Sequence, residues 1–599
     1  MASDAAGADL RAVVPHTAAG AEASGAGENV PRAAEGIRRR ELLTGAASLP
    51  LAAAMAACSR DEAARYSGGW VGAQVDRGHK LRDSKAGTWP APSVQRRAGA
   101  IVVGAGISGL AAARAFAKAG VDDVQVFDLE DAPGGNSRGH AMGGMGCPLG
   151  AHYLPIPGER AVEVIELLEE LGLRRTEGGQ PVYDERHLCH SPQERIFIAG
   201  HWHDGLLPPV EALPADQRET TLAQYRRFGA LVAKVGDGGA FAIPTARATW
   251  SPELTALDAI TFARWLDAQS LTAPALRWYL DYCCRDDYGA GAPQVSAWAG
   301  LHYFASRHGF HAPGDGSDER EGVFTWPEGN AWLGRKLAAP LGDRLHTGRM
   351  ALRVTEGRQT ASVDVWNAID SRVERWTSPR LVLAVPLFIA ARLLDAPPPA
   401  LLEAAAAMRH APWLVANVQI GEPLTDHPGA APSWDNVVYD PLVVASANPL
   451  VVASPDPLVG SSANPTLSPA LGYVDAMHQS TRPYAGPTVL TAYWALGGDN
   501  PEQLKSQRAR LLNEPWSAWA QAVVGNLLPA HPDLPGKITR IDLMRYGHAM
   551  SIPVPGVRSS AALQALADAR GPVRFAHSDL ASYSIFEEAM YFGARAARA

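Results

Sequence analysis

A run of closely spaced glycines is the part of the sequence best suited to binding a phosphate group. Gly104, Gly106 and Gly109 follow an apolar stretch at 98–103 and open an alanine-rich stretch predicted to be a helix. This spacing allows a tight turn, a close approach of the backbone to a diphosphate, and close helix–strand packing. Asp128 ends a second apolar stretch about 20 residues further along, where a carboxylate is expected to accept hydrogen bonds from ribose hydroxyls. Together these features predict a dinucleotide-binding βαβ unit.

A second glycine pair helps to decide between NAD and FAD. Gly134 and Gly135 lie in the run Ala-Pro-Gly-Gly-Asn-Ser-Arg, a few residues past Asp128. An ordinary turn would explain the pair if it stood alone. A second close approach of the backbone would instead suit the long diphosphate–ribityl part of FAD.

The run from the first glycines through residue 139 resembles the flavin-containing amine oxidase family. Three further stretches are similar to that family: 147–153 (Cys-Pro-Leu-Gly-Ala-His-Tyr), 324–330 with the strands up to 386, and 575–593 at the end. The resemblance covers most of the chain from about residue 98 onward. Residues 78–83, with the leader before them, are similar to spermidine dehydrogenases and their exported relatives.

The resemblance implies an α/β fold, in which a discontinuous Rossmann-type FAD-binding domain accompanies an α+β substrate domain. A helix that begins near Ile585 would direct the positive end of its dipole at the flavin N1–C2=O edge. The family usually has Gly-Asp where this chain has residues 577–579, which leaves open the residue that meets the phosphate. The predicted FAD-binding residues are Gly104, Ala105, Gly106, Ile107, Ser108, Gly109, Asp128, Leu129, Gly134, Gly135, Asn136, Ser137, Gly150, Ala151, His152, Ser578, Asp579, Ile585, Phe586 and Glu587.

The cofactor domain is predicted to consist of separate segments because both ends of the match belong to it. A proline-containing repeat at 440–470 is interpreted as a surface insertion between strands near 434–439 and 471–474. The predicted segments are a leader at 1–57, an N-terminal segment at 58–97, FAD-binding parts at 98–155, 323–399 and 569–599, and substrate-domain parts at 156–322 and 400–568.

The substrate site of such an enzyme needs dry, aromatic walls, because only the neutral form of an amine can be oxidised and burial disfavours the ammonium. The candidate catalytic residues are His152, on the loop expected beside the flavin, Tyr493, and His548 as an acid or base. Trp434, Trp494, Tyr546 and Tyr583 are further candidates for the wall, and core packing is the alternative for each of them. Ile585 stands where the family often has an aromatic residue, which weakens the prediction of an aromatic pair. The adjacent Cys283 and Cys284 are interpreted as helix packing, and no metal site is predicted.

The composition excludes several other classes of protein. The net charge of −8 argues against binding nucleic acid through its phosphates. Five cysteines are too few for a disulfide scaffold. No apolar run approaches the ~20 residues that a membrane-spanning helix needs.

The N-terminal region resembles an export signal. Arg39 and Arg40 precede an almost uncharged stretch at 42–57, a pattern typical of a twin-arginine signal. Cys58 follows Met-Ala-Ala, which favours lipid modification of this cysteine and a membrane-anchored periplasmic protein. An amphipathic helix with arginines by chance is the alternative.

These observations predict an exported FAD-dependent oxidoreductase that removes a hydride from an amine and passes electrons to oxygen or to a redox carrier. Two alternatives remain open at this point. The chain could be a flavin desaturase of an apolar, carotenoid-like substrate. It could also be a flavin-binding protein without catalytic activity.

Overall fold

The computed structural model describes residues 66–84, 89–189, 193–236, 239–307, 309–314, 322–439, 468–478, 485–498 and 500–598. All of them fall in one unit, Ala63–Ala599. The predicted twin-arginine signal, Cys58 and most of the predicted insertion lie outside the described residues.

The strands are β1 Ser67–Trp70, β2 Val94–Arg97, β3 Ala100–Val103, β4 Val124–Phe127, β5 Gly139–Met142, β6 Met145–Pro148, β7 Tyr153–Pro155, β8 Arg174–Glu177, β9 Gln180–Tyr183, β10 Leu188–Cys189, β11 Glu194–Ile198, β12 His201–Asp204, β13 Val323–Thr325, β14 Leu345–His346, β15 Arg349–Glu356, β16 Ala361–Asn367, β17 Arg372–Ser378, β18 Leu381–Leu383, β19 Arg409–Ile420, β20 Asp435–Val438, β21 Ala470–Asp475, β22 Thr488–Ala495, β23 Ile538–Ile552 and β24 Val573–Phe575.

The helices are α1 Val75–Asp83, α2 Ile107–Lys118, α3 Val162–Glu170, α4 Arg218–Gly236, α5 Pro252–Asp258, α6 Phe262–Ala268, α7 Pro274–Tyr288, α8 Ala297–Ala305, α9 Ala331–Ala338, α10 Leu387–Leu393, α11 Pro399–Ala407, α12 Pro501–Asn513, α13 Trp516–Leu527, α14 Leu534–Lys537, α15 Ala561–Ala567 and α16 Phe586–Arg598. None of these helices has the length and apolar character needed to cross a bilayer.

A parallel five-stranded sheet in the order β14-β4-β3-β18-β24 joins distant parts of the chain. Leu381 of β18 pairs with Ile101 of β3 on one side and with Val573 of β24 on the other. The three strands are short and mainly apolar, and all three of these residues are buried, as expected for parallel strands covered on both faces. The sheet therefore brings the last strand of the chain next to the first glycine turn.

A mixed eight-stranded sheet in the order β1-β23-β19-β22-β21-β20-β11-β12 forms a second layer. Asn436 of β20 pairs with Tyr473 of β21, so the strands on either side of the predicted insertion are direct neighbours, as the sequence predicts. The long strands β19 and β23 and their neighbour β22 carry several of the cavity residues described below.

The sequence pattern predicts one strand over 194–202 and one helix over 261–284, and the structure corrects both predictions. The stretch 194–202, predicted to be one strand, forms the antiparallel pair β11 and β12, because Ala199 and Gly200 between them adopt positive φ. The stretch 261–284, predicted to be one helix, is divided into α6 and α7. Ser270 has a φ of 52°, which ends the first helix, and Pro274 begins the second, where its missing N–H costs nothing.

Candidate active site

A cavity of about 360 Å³ contains most of the predicted site residues. One side is formed by turns at the carboxyl ends of β3, β4, β18 and β24 and by the start of α16, and the other side by residues of β19, β22, β23 and α7. Ligands of open α/β sheets bind outside the carboxyl ends of the strands. The parallel sheet therefore places its ligand-binding edge against the second sheet.

The glycine turns form a cradle that side chains would fill. Gly104 has a φ of 101°, and a Cβ atom on it would lie 2.4 Å from the carbonyl oxygen of Ala384. Gly106 forms an isolated bridge with Gly134, and a Cβ atom on Gly135 would lie 3.1 Å from the Cα atom of Gly106. Two backbone turns thus approach each other without side chains, which fits a diphosphate held by backbone N–H groups.

The start of α2 is suited to an anion. Its N-cap, Gly106, has no side chain to bond the free amides, and the first turn contains no acidic residue. Asp128 lines the cavity, and its carboxylate accepts hydrogen bonds from the amides of Ala105 (2.6 Å) and Glu130 (2.8 Å). Burial raises the pKa of Asp128. These two bonds orient the carboxylate at the place predicted for the ribose.

Three residues predicted to contact FAD do not line the cavity. Ala105 donates its amide to Asp128, and Leu129 offers its carbonyl oxygen to Arg77 at 2.6 Å. Gly109 faces the turn, because a Cβ atom on it would lie 1.8 Å from the carbonyl oxygen of Gly104. The other predicted residues line the cavity: Gly104, Gly106, Ile107, Ser108, Asp128, Gly134, Gly135, Asn136, Ser137, Gly150, Ala151, His152, Ser578, Asp579, Ile585, Phe586 and Glu587.

Asp579 joins three segments at the edge of the cavity. It is fully buried and accepts hydrogen bonds from the amide of Leu387 (2.9 Å) and from Nε2 of His410 (3.0 Å). Burial by itself raises the pKa of a carboxyl, but His577 and His410 outweigh it and hold the pKa of Asp579 well below its usual value. Asp579 is therefore a fixed negative charge that ties β24 to the other layer.

The opposite wall contains an aromatic stack. The rings of His152 and Tyr493 are stacked, with centroids 4.4 Å apart, and the Tyr493 hydroxyl donates to the carbonyl oxygen of Gly150 (3.0 Å). Burial lowers the pKa of His152 to about 3, so this ring is neutral at physiological pH. Tyr153 and Trp413 also line the cavity here. This end of the cavity therefore disfavours uncompensated charge.

The other candidate wall residues have different environments. Tyr546 and His548 line the cavity, and burial lowers the pKa of His548 to about 4, so its ring is uncharged near neutral pH and does not act as an imidazolium acid. Trp434 contacts His152 from behind, with ring centroids 5.4 Å apart. Trp494 packs against Trp519 in a separate core, and the Tyr583 hydroxyl donates to Asp287. Cys283 and Cys284 are buried in α7 without a disulfide.

Three cavity residues outside the predicted set carry charge. Asp286 and Asp287 project from the end of α7, and Arg307 lies just beyond α8. Arg307 pairs with Asp287 through both terminal nitrogens, at 3.1 and 3.3 Å. Two adjacent acids close to Cys283 and Cys284 in a helix were the available signal, since burial of such acids needs a reason.

The comparisons with known proteins agree with this architecture. The sequence model described as "Flavin containing amine oxidoreductase" matches residues 107–599. The chain belongs to this family.

The flavin amine oxidoreductase fold is shared with several solved structures. A putrescine oxidase triple mutant is 19% identical, with a TM-score of 0.58, over 84% of this chain and 98% of that chain. Cyclohexylamine oxidase from Brevibacterium oxydans IH-35A is 19% identical, with a TM-score of 0.56, over 84% and 98%. A fatty acid isomerase from P. acnes is 15% identical, with a TM-score of 0.54, over 83% and 97%. No curated protein sequence matches.

These findings confirm the predicted family, the α/β fold with its Rossmann-type FAD-binding part, and FAD as cofactor. The glycine cradle, the uncapped start of α2 and the orientation of Asp128 fit the adenosine diphosphate part of FAD. The chain is an FAD-dependent oxidoreductase.

Proposed function

We propose that this oxidoreductase removes a hydride from the carbon next to a primary or secondary amine. When bound, FAD supplies the acceptor for the hydride. The main support for the proposal is that the uncharged rings of His152 and Tyr493 stack on each other in the same cavity as the glycine cradle. The similarity to the structures of a putrescine oxidase and a cyclohexylamine oxidase supports an amine as substrate.

The aromatic wall has a definite task in this reaction. An ammonium group has no lone pair to assist loss of the hydride, so the amine must first lose a proton. Buried, uncharged rings raise the free energy of the ammonium relative to the amine and so lower the pKa of the reacting group. His152 contributes to this effect because it remains neutral, and it also fixes the position of Tyr493.

Anaerobic reduction tests the proposal. The purified yellow protein is mixed with 1-aminobutane, cyclohexylamine or 1,4-diaminobutane without oxygen, and the flavin absorbance is followed. We expect at least one amine to bleach the flavin. Failure of all three, with dithionite still bleaching it, would contradict amine oxidation. Readmission of air then tests oxygen as the electron acceptor. Slow recovery of the flavin absorbance would favour a redox carrier.

We further propose that the enzyme is exported by the twin-arginine route and anchored through a lipid on Cys58. Support comes from the sequence alone, from Arg39 and Arg40 before an uncharged stretch. Changing both arginines to lysine is expected to retain the protein in the cytoplasm, and Cys58→Ala is expected to release it from membranes. Unchanged fractionation of either variant would contradict the corresponding part of the proposal.

A further inference from the structure

The carboxylate of Asp286 lies in the cavity wall without a bonded partner. Asp286 is half-buried at the end of α7 and lines the cavity. Among the described residues, no hydrogen bond or ion pair joins its side chain. The adjacent Asp287 differs, because it is fully engaged by Arg307 and by the Tyr583 hydroxyl.

The surroundings of Asp286 are acidic. The carboxylates of Asp435 and Glu194 lie close enough to interact electrostatically with it and with each other. Burial and then the neighbouring Asp287 raise the pKa of Asp286 to about 7, and burial and then Glu194 raise that of Asp435 well above its usual value. Three carboxyl groups thus share a region in which one positive charge would be stabilised.

Arg307, the arginine among the described residues that line the cavity, does not supply that charge. Arg307 also lines the cavity, but its terminal nitrogens are bonded to Asp287 and Tyr583. A ligand carboxylate would have to displace Asp287 from Arg307 and would meet Asp286 beside it. A ligand ammonium would meet a free carboxylate and would displace nothing, so the charges favour a cationic ligand group.

The same cavity also contains the neutral end formed by His152 and Tyr493. A substrate that binds at both the neutral end and the acidic end has two nitrogens. One nitrogen is neutral when it reacts, and the other stays protonated. Tyr153 connects the two ends, because its ring centroid lies 5.0 Å from that of His152 and its hydroxyl is close enough to Asp286 to interact electrostatically. Such rings hold an alkyl chain and also attract a cation.

We propose that Asp286 binds a second ammonium group of the substrate, so that the enzyme acts on diamines or polyamines in preference to monoamines and amino acids. The inference rests on the proposed amine oxidation. It adds to that function a specificity-determining residue, Asp286, with Asp435 and Glu194 as its electrostatic support.

Binding is measured apart from turnover by using holoenzyme whose flavin has been reduced with dithionite, which cannot oxidise an amine. Calorimetry then compares three ligands of similar length: 1,4-diaminobutane, 1-aminobutane and 4-aminobutanoate. We expect the diamine to bind at least ~10-fold more tightly than the monoamine, since a charge-assisted bond to a buried group has about that strength. The amino acid is expected to bind most weakly.

Asp286→Asn is expected to remove the preference for the diamine and to leave binding of 1-aminobutane within about threefold. Asp122→Asn, the same change at an exposed residue, is the matched control and should retain the preference. An equal Kd for the diamine and the monoamine in the unaltered enzyme would overturn the inference. An equal loss of affinity for the diamine and the monoamine in Asp286→Asn would also overturn it, because Asp286 would then bind the reacting amine.

The outcomes separate the two proposals. Anaerobic bleaching by 1-aminobutane without a preference for the diamine would leave amine oxidation standing and overturn the role of Asp286. Tight binding of the diamine to the reduced enzyme, with no amine bleaching the oxidised one, would support the cation site and contradict amine oxidation.

Discussion

A Cβ atom on Gly593 would lie 2.1 Å from the carbonyl oxygen of Ser108. Gly593 belongs to α16, the last helix, and Ser108 to the first turn of α2, directly after the glycine turn. The two helices approach so closely because no side chain separates them at this point. The end of the chain is thereby fixed against the part of the site that fits the diphosphate.

We therefore expect Gly593→Ala to loosen the binding of FAD. The new methyl group would contact a backbone carbonyl that cannot rotate away, and overpacking of this kind costs about 1–3 kcal/mol. The purified variant should contain less FAD, measured as the ratio of absorbance at the flavin and protein bands, and should unfold at a lower temperature. Gly525→Ala is the control, because that helical glycine has open space around its Cβ position. A Gly593→Ala variant that resembles the control would contradict the close packing.

Arg77 gives a second prediction about FAD binding. It lies in α1 and donates to the carbonyl oxygen of Leu129 (2.6 Å) and to the carboxylate of Asp131 (2.7 Å). These bonds restrain the loop after Asp128, at the predicted ribose site. Arg77→Ala is expected to increase the rate of FAD release about 10-fold, measured by recovery of flavin fluorescence on dilution. Arg82→Ala changes the same helix at an exposed position and should release FAD at the original rate.

The βαβ unit and the final helix could be predicted because local rules determine them. A glycine turn after an apolar strand and an acid at a fixed spacing leave few other structures. The same motif also includes Gly109 and Leu129, which do not line the cavity, because some of its positions pack the turn and others face the ligand. Asp286 and Arg307 could not be assigned from the sequence, since their place in the cavity depends on how α7 and α8 pack between two sheets.

Asp579 is expected to make stability depend on acid pH. Its pKa in the folded protein lies well below the usual value, while in the unfolded chain it is about 3.9. The ionised group therefore stabilises the fold above about pH 4, and this contribution is lost as the pH falls below that value. Asp579→Asn should lower stability at pH 7 by about 3 kcal/mol, and the difference from the unaltered protein should shrink below about pH 4.

The control for this measurement is Asp267→Asn. Asp267 pairs with Arg277 instead of a histidine, and its side chain is 70% exposed. An exposed pair contributes less than about 1 kcal/mol, so this variant should unfold almost like the original at every pH. If the stability of Asp579→Asn and that of Asp267→Asn depended on pH in the same way, the buried ion pair with His410 would be refuted.

His152 is predicted to act as a neutral ring. Because its pKa is about 3, it should not contribute to the pH profile of flavin reduction between about pH 6 and 10. His152→Phe keeps an aromatic ring stacked on Tyr493. The rate of flavin reduction should stay within about threefold, and its dependence on pH should not change. His152→Arg places a charge in the dry wall and should slow anaerobic reduction by about 100-fold. A profile that changes in His152→Phe would instead indicate proton transfer by His152.

Asp286 is predicted to support substrate selection at the expense of stability. Because its pKa rises on folding to about 7, the folded state favours the protonated form, and stability declines as the pH rises from about 4 to 7. Asp286→Asn removes this effect and should increase stability at pH 8 by on the order of 2–4 kcal/mol. Discrimination between 1,4-diaminobutane and 1-aminobutane should increase in the original enzyme as the pH rises through about 7, and should stay flat in Asp286→Asn. The charged groups that act on Asp286 are Asp287, Arg307, Arg285, Glu194 and Asp435.

Thermal unfolding at pH 5 and pH 8 checks the stability of Asp286→Asn, and the Kd ratio of the two ligands over the same range checks selection. At pH 5 the gain in stability of the variant over the original should be smaller than at pH 8, because Asp286 is then still protonated in the folded protein and only the unfolded chain has lost this proton. A variant that is less stable than the original at pH 8 would mean that Asp286 has a partner within the protein. In that case its carboxylate would serve the fold, and no cation from the substrate would be needed to balance it.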